Sequence, residues 1–135
     1  MADRDAIEQL FADYGWPMDT REWPVLSTVF TEDATFTITI AGDEAVSITG
    51  RDAIVEFCSS TVNAQTDQRR HVITNIRHAN ETATSADVYA ILTLIVVTDG
   101  ELEVKSSGLY RTKVVKESDR RWRFAHMLLE LDRTF

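Results

Sequence analysis

The second half of the chain contains four long segments with the residue pattern of β-strands, and these segments constrain the fold most strongly. They are residues 69–78, 85–97, 102–116 and 121–133. β-Branched and aromatic residues are frequent in them, and such residues favour a pleated, half-buried surface. Short stretches of Asn, Asp, Gly, Ser and Thr separate them and are typical of turns. Because short turns join antiparallel neighbours, we expect a long, curved antiparallel meander.

The first third of the chain predicts two helices. In the first helix, from Asp3 to about Trp16, apolar residues recur at the spacing of one helical face, and the Asp3 side chain can cap the helix start. Pro17 predicts the end of this helix or a kink, which would place Asp19 in a bend. A short second helix follows, with Pro24 in its first turn.

A strand, its short hairpin partner and a third helix complete the first half. The strand is predicted over Ala34–Ile40 and its partner over residues 46–48. Thr49 and Asp52 have capping-box spacing and predict the start of the helix, whereas residues 59–68 are polar and typical of a loop. Three helices before an antiparallel sheet predict an α+β fold. Helices on one side of a bent sheet enclose a conical cavity that suits a small molecule.

The charge balance argues against several classes of partner. The formal net charge is −8 at pH 7, and no basic stripe is present that could neutralise nucleic-acid phosphates. An acidic protein is also disfavoured at an anionic membrane surface, and no apolar run is long enough to cross a bilayer. The pairs Arg69-Arg70 and Arg120-Arg121 are short, and we expect them to be solvated residues in turns or at strand ends.

Cysteine and histidine usage predicts neither a metal site nor another cofactor. Cys58 is the single cysteine, so an intrachain disulfide is impossible and CxxC motifs are absent. The spacing of His71, His78 and His126 does not match metal-ligand motifs such as HxH or HExxH. The N-terminus lacks the apolar core of a signal peptide. We therefore expect one cytoplasmic domain over residues 1–135.

The strand over residues 69–78 contains the first candidate site residues. Alternation places His71 and Asn75 on one face of this strand, which we expect in the middle of the sheet. The other face, with Val72 and Thr74, is expected to face the core. An imidazole and a carboxamide on one strand face either form structural hydrogen bonds or line a pocket, and the residues alone leave both interpretations open.

Five segments together resemble the SnoaL-like branch of the nuclear-transport-factor-2-like superfamily. They are residues 11–14 with Asp19, 26–34, 49–54, 70–75 and 122–124. The resemblance spans essentially the whole chain and implies a cystatin-like α+β barrel. This conical fold hosts dehydratases, isomerases, cyclases, hydrolases and binding modules. Within the superfamily, the chain is most similar to the group of scytalone dehydratase, bile-acid dehydratase and hexachlorocyclohexane dehydrochlorinase.

That resemblance implies roles for three residues. In these enzymes a histidine on the first strand of the meander works with an aspartate just after the first helix, and His71 and Asp19 match those positions. Tyr14 falls where the dehydratases place a tyrosine. The relatives also carry a histidine or aspartate on the next strand, or an arginine on the last strand. Residues 91–97 are almost wholly apolar here, and Met127 stands at the position of the arginine.

The function implied is that of a cofactor-independent lyase. His71, oriented by Asp19, would remove a proton from a small apolar, cyclic or polyketide-like substrate, and water or halide would leave. The Tyr14 hydroxyl would donate to a substrate oxygen. An isomerase or a polyketide cyclase is a related alternative. A non-catalytic ligand-binding or assembly module of the same fold is an alternative of a different class.

Further residues are candidates for the substrate pocket, although structural roles remain open for each. Asn75 would orient the substrate or a water molecule, and Trp16, Phe36 and Met127 would line the cavity. The open face of a long antiparallel sheet needs cover, and the relatives associate through this face. We therefore expect a homo-oligomer, either a dimer or a trimer.

Overall fold

Three helices and six strands make up the fold, and a computed structural model describes them over residues 3–135. The helices are α1 (Arg4–Thr20), α2 (Trp23–Ser27) and α3 (Arg51–Asn63). The strands are β1 (Phe30–Ile40), β2 (Val46–Thr49), β3 (Gln68–Ala79), β4 (Ser85–Thr98), β5 (Glu101–Lys116) and β6 (Trp122–Leu131). The predicted α+β class with three helices in the first half is confirmed.

All six strands belong to one sheet with the order β2-β1-β6-β5-β4-β3. The strands β3 to β6 pair antiparallel with their neighbours, which confirms the predicted meander. The sequence did not predict that β1 pairs in parallel with β6. This order leaves β2 and β3 at the two edges of the sheet, and these two strands do not pair with each other. The curved sheet is therefore unclosed, and the expectation that β3 lies in its middle is wrong.

Helix α1 begins as predicted and packs closely on β3. The Ala6 N–H donates to Asp3 Oδ1 at 3.1 Å, and the apolar stripe of the helix is buried. Gly15 is the point of closest approach, because a Cβ atom there would lie 3.3 Å from Ile73 Cδ1 and 3.7 Å from His71 Cβ. The absence of a side chain at Gly15 thus lets the helix lie directly against the strand that carries His71.

The end of α1 differs from the prediction. The helix continues through Pro17 to Thr20 instead of stopping before the proline. One proline removes one backbone donor, and burial of the last turn compensates for this loss. The helix ends where Arg21 adopts a left-handed conformation, with the Glu22 N–H donating to the Pro17 carbonyl oxygen at 3.1 Å. Asp19 consequently lies on the last helical turn and not in a bend.

Helix α3 also differs from the prediction at both ends. Its N-cap residue is Gly50, with a φ of 100°, and no side chain caps it, so the predicted capping box at Thr49 is wrong. The positive φ angle is one that glycine adopts readily. The helix extends to Asn63 through residues expected to form a loop. Its apolar face continues to Val62, and burial of this face accounts for the extra turn.

The two faces of β3 are the reverse of those predicted. Val72 is 38% exposed and Thr74 is exposed, whereas His71 and Ile73 are half-buried on the side that α1 covers. The reason is that β3 is an edge strand with a helix packed on its other face. Asn75 has a φ of 58° at a break in the β3–β4 register, and this irregularity places it at the exposed surface.

An aromatic cluster connects α1 to the sheet. The Tyr14 ring is surrounded edge-to-face by Phe30, His71, Tyr110 and Phe124, with ring centroids 5.7–6.4 Å apart. Such edge-to-face pairs are favoured by the ring quadrupoles. The cluster therefore fixes the position of the Tyr14 ring beside the His71 ring.

No helix within residues 3–135 combines the length and the apolar character that crossing a membrane requires.

Candidate active site

Two hydrogen bonds join the last turn of α1 to the edge strand β3. Asp19 Oδ1 lies 2.6 Å from His71 Nδ1, and Asp19 Oδ2 accepts the His71 backbone N–H at 2.8 Å. Both side chains are well buried, with exposures of 13% for Asp19 and 10% for His71. Because an ionised carboxylate only accepts, an Asp19 carboxylate requires a neutral His71 ring to carry its proton on Nδ1, which places the lone pair on Nε2.

The Asp19 side chain also provides a hydrogen-bond acceptor at the edge of the sheet. The outward backbone groups of an edge strand lack a strand partner, and Asp19 supplies an acceptor for the His71 N–H. Next to it, Gln68 Nε2 donates to the Asp19 carbonyl oxygen at 2.8 Å and to the Arg69 carbonyl oxygen at 2.7 Å. The helix end and the strand edge are therefore held together by both backbone and side-chain groups.

His71 and Tyr14 line a mostly apolar cavity between the helices and the sheet. The centre of a water molecule can occupy a volume of about 60 Å³ inside the cavity. A cavity that holds one water needs only about 10–15 Å³ of such volume. Side chains therefore do not fill the predicted cone. Asp19 lies behind His71 in a polar surface cleft. The cavity is lined by Tyr14, Met18, Phe36, Ile38, Phe57, Cys58, Thr61, Val62, Gln65, Arg69, His71, Leu92, Leu94, Leu129, Leu131 and Phe135.

The Tyr14 hydroxyl is arranged to act as a hydrogen-bond donor. It accepts a hydrogen bond from the Tyr110 hydroxyl at 3.2 Å, which leaves its own proton for another acceptor. Burial raises the pKa of Tyr14 well above its ordinary value, and the adjacent Tyr110 adds to this shift. Burial also raises the pKa of Tyr110. Tyr14 is thus a neutral phenol at physiological pH. We did not identify Tyr110 from the sequence, where only strand alternation marks it as inward-facing.

Of the four residues predicted to contact a substrate, only Phe36 lines the cavity. Trp16 is 68% exposed on the outer side of α1, and its Nε1–H donates to Glu22 Oε2 at 2.9 Å. Asn75 is exposed because of the register break described above. Met127 is fully buried in the core and is not among the lining residues. The prediction that Trp16, Asn75 and Met127 line the cavity is therefore wrong.

Arg69 is a polar residue of the cavity whose position was predicted wrongly from the sequence. It was expected to be a solvated strand-end residue, but it is only 8% exposed and lines the cavity. It lies two positions before His71 on the same strand face, so strand alternation was the signal for it. Gln65, from the turn after α3, lines the cavity as well.

Cys58 does not add a nucleophile to the site. Burial raises the pKa of its thiol to about 12, so it stays protonated at neutral pH. Within residues 3–135, no three histidine, cysteine, aspartate or glutamate side chains are grouped so as to hold a metal ion.

The Asp19 contact gives a prediction about stability. Asp19→Ala leaves the buried His71 N–H without an acceptor, and we expect it to lower the free energy of unfolding by about 1–3 kcal/mol. Asp13→Ala is the control, because Asp13 is on the same helix and accepts only an exposed hydrogen bond from Gln9. It should cost no more than about 0.5 kcal/mol. Urea titration measures both values, and equal effects would contradict the structural role of Asp19.

No curated protein matches this chain significantly, but solved structures do. A Nostoc punctiforme protein of unknown function with a cystatin-like fold is 17% identical, with a TM-score of 0.81 over 98% of this chain and 93% of that one. A candidate scytalone dehydratase from Novosphingobium aromaticivorans is 24% identical, with a TM-score of 0.78 over 98% and 85%. The β subunit of a candidate aromatic-ring-hydroxylating dioxygenase from the same organism is 16% identical, with a TM-score of 0.82 over 97% and 90%.

At these identities the structural likeness shows the fold alone, and it confirms the predicted cystatin-like architecture. Function does not follow from a shared fold of this kind. The family is shown by a separate finding, because the sequence model of the SnoaL-like domain matches residues 1–128, which is nearly the whole chain. The chain therefore belongs to the SnoaL-like domain family.

Proposed function

We propose that this protein is a cofactor-independent small-molecule lyase in which His71 is the general base. The observation that supports this most strongly is the hydrogen bonding of the imidazole. Asp19 engages Nδ1 at 2.6 Å, while Nε2 has no hydrogen-bond partner within residues 3–135 and its ring lines the cavity. A base must present an unprotonated atom to its substrate, and Nε2 meets this requirement.

The proposed reaction begins with transfer of a proton from a substrate carbon to His71 Nε2. The electron pair of the broken C–H bond forms a new double bond, and hydroxide leaves the neighbouring carbon. The imidazolium then returns the proton to the departing hydroxide, which leaves as water. Asp19 stabilises the imidazolium, since its carboxylate faces Nδ1–H in an environment that water reaches poorly. A positioned base of this kind contributes about 10²–10⁴-fold to the rate.

Tyr14 would stabilise the charge that develops on a substrate oxygen. Its hydroxyl accepts from Tyr110 and therefore directs its own proton elsewhere. The Tyr110 hydrogen bond polarises the Tyr14 hydroxyl and makes it a better donor. A preorganised donor in an apolar cavity favours the charged transition state over the neutral substrate.

The lining of the cavity suits an apolar substrate. Phe36 faces the space together with Leu92, Leu94 and Leu129, and these side chains favour hydrocarbon over water. A small cyclic or polyketide-like compound with few polar groups fits this lining. Phe36 is thus proposed as a substrate-binding residue.

Two alternatives share this site. An isomerase would use the same base but return the proton to another carbon. The second alternative is a non-catalytic ligand-binding or assembly module. The side chains that β4 presents to the cavity, Leu92 and Leu94, support it, because neither is a polar group that would assist a leaving group. The shared fold with a dioxygenase β subunit is compatible with that second alternative.

Incubation with candidate substrates in D₂O separates these possibilities. Mass spectrometry of cyclic and polyketide-like β-hydroxy carbonyl compounds reports both loss of water and exchange of C–H for deuterium. We expect both with the wild-type protein. His71→Ala and Asp19→Asn should each lower the rates by about 10²-fold or more while the fold is retained.

The control is His126→Ala, because His126 is exposed and does not line the cavity. It should leave both rates unchanged. Deuterium exchange without elimination would favour an isomerase. Binding without either process would favour the non-catalytic module, and full activity of His71→Ala would refute the assignment of the base.

We also propose that the protein is a homo-oligomer that associates through the outer face of the sheet. Val72 and Ile91 are 38% and 37% exposed there, and Ile91 pairs with Leu109 on the adjacent strand. Burial of such a face against a second copy removes apolar area from water.

Light scattering at micromolar concentration should give the mass of a dimer or trimer. Ile91→Glu places a charge in this face and should shift the mass toward the monomer. Val46→Glu is the control, because Val46 is 56% exposed on the opposite edge strand, and it should leave the mass unchanged. A monomeric wild-type protein would contradict the proposal.

A further inference from the structure

Arg69 is a buried charge in the cavity to which the proposed reaction gives no role. One edge of its guanidinium pairs with Asp67, with Nε 2.6 Å from Oδ1 and Nη2 3.2 Å from Oδ2. Nη1 has no hydrogen-bond partner within residues 3–135 and almost no surface that water can reach. The residue as a whole is 8% exposed and lines the cavity.

An unpaired donor of this kind requires an explanation. A buried N–H donor that has lost its hydration and gained no acceptor is costly, and folded proteins contain few such donors. Asp67 holds the guanidinium by Nε and Nη2, so the orientation of Nη1 is fixed in advance. A fixed, unsatisfied N–H donor beside a cavity is an arrangement that a ligand acceptor would complete.

A second unsatisfied group belongs to another residue that lines the cavity. Gln65 Oε1 is buried without a partner, and Gln65 lines both the cavity and the outer polar cleft that contains Asp19 and Arg21. Rotation of the carboxamide by a half-turn would present its NH₂ group in place of the oxygen. The cavity thus has two unsatisfied polar side chains, Arg69 and Gln65, whereas most of its remaining lining is apolar.

Asp67, the carboxylate that holds Arg69, is surrounded by positive charges. The pKa of Asp67 is lowered, mainly by the hydrogen bond from Arg69, and the positive charges of Arg69, Lys105 and Arg21 add to the shift. Three cations therefore act on one carboxylate, in a chain whose overall charge is −8. Asp19 and Asp67 carry negative charge in the same region, so the attraction for an anion depends on the directed N–H donor of Arg69 and not on a net positive charge.

We propose that Arg69 and Gln65 form a carboxylate subsite, and that the ligand of this cavity is a small apolar monocarboxylate. Guanidinium and carboxylate form strong, charge-assisted hydrogen bonds, and the apolar body of the ligand would lie against Phe36 and Leu92. As a statement about the substrate, this rests on the proposed lyase function. His71 is two strand residues, or about 6.5–7 Å, from Arg69, so the base would act near the acid end of the molecule.

The test compares three probes that share one apolar body. Isothermal titration calorimetry with cyclohexanecarboxylate, cyclohexanecarboxamide and cyclohexylmethanol measures the preference for a carboxylate. The wild-type protein should bind the carboxylate at least tenfold more tightly than the other two probes. Arg69→Met should abolish this preference. Arg70→Met is the matched control, because the neighbouring Arg70 is exposed, and it should retain the preference in full.

Additional variants make the outcome decisive. If Arg69→Met does not fold, Gln65→Leu serves instead and should lower the carboxylate preference at least threefold. His71→Ala should keep the preference, so that a failure of the catalytic proposal can be distinguished from a failure of this one. Absence of carboxylate binding at millimolar concentration, equal binding of carboxylate and carboxamide by the wild type, or an unchanged preference in Arg69→Met would each overturn the proposal.

Discussion

The carboxylate of Asp19 is the point on which the site depends. One oxygen accepts the backbone N–H of an edge strand, and the other binds a histidine ring. A single side chain therefore both stabilises the strand edge and orients the imidazole. If it were absent, β3 would have an unsatisfied amide at its edge and the imidazole would be free to rotate. The close approach of α1 at Gly15 brings the carboxylate within reach of the strand.

Two elements, α1 and β3, supply three polar groups of the cavity, and the fold gives each group a different character. Tyr14 from α1 stays neutral because it is buried among aromatic rings, so it donates. His71 from β3 has one nitrogen engaged by Asp19 and one nitrogen open, so it accepts. Arg69, also from β3, is paired with Asp67 and has one donor nitrogen unpaired. An apolar space with one donor, one acceptor and one cation is suited to orienting a small molecule, which is how this fold accommodates different reactions.

Local patterns predicted the elements well, because alternation and helical spacing depend on near neighbours only. The meander and the buried stripe of α1 are of this kind. The pairing of Asp19 with His71 came from the family resemblance, since 52 positions separate the two residues and no local pattern links them. The continuation of α1 past Pro17 required knowledge of what the last turn packs against. Propensity alone does not contain that information.

Errors about individual site residues came from register and from strand order. The parallel pairing of β1 with β6 puts β3 at the edge. Helix α1 packs on the His71 face of this strand, which turns that face inward and leaves Val72 exposed. The irregularity after Thr74 carries Asn75 out of that face. Arg69 shares the face of His71, but a pair of adjacent arginines is more typical of a solvated segment. Pairing between distant strands decides such questions, and a shift of one residue reverses every side chain.

The protonation of the His71 ring tests the central claim most directly. Long-range ¹H–¹⁵N correlation spectra of histidine-labelled protein distinguish the two neutral tautomers. We expect neutral His71 to carry its proton on Nδ1 and to have an unprotonated Nε2, and we expect this preference to be lost in Asp19→Asn. A wild-type spectrum with the proton on Nε2 would show that the ring does not present a base to the cavity.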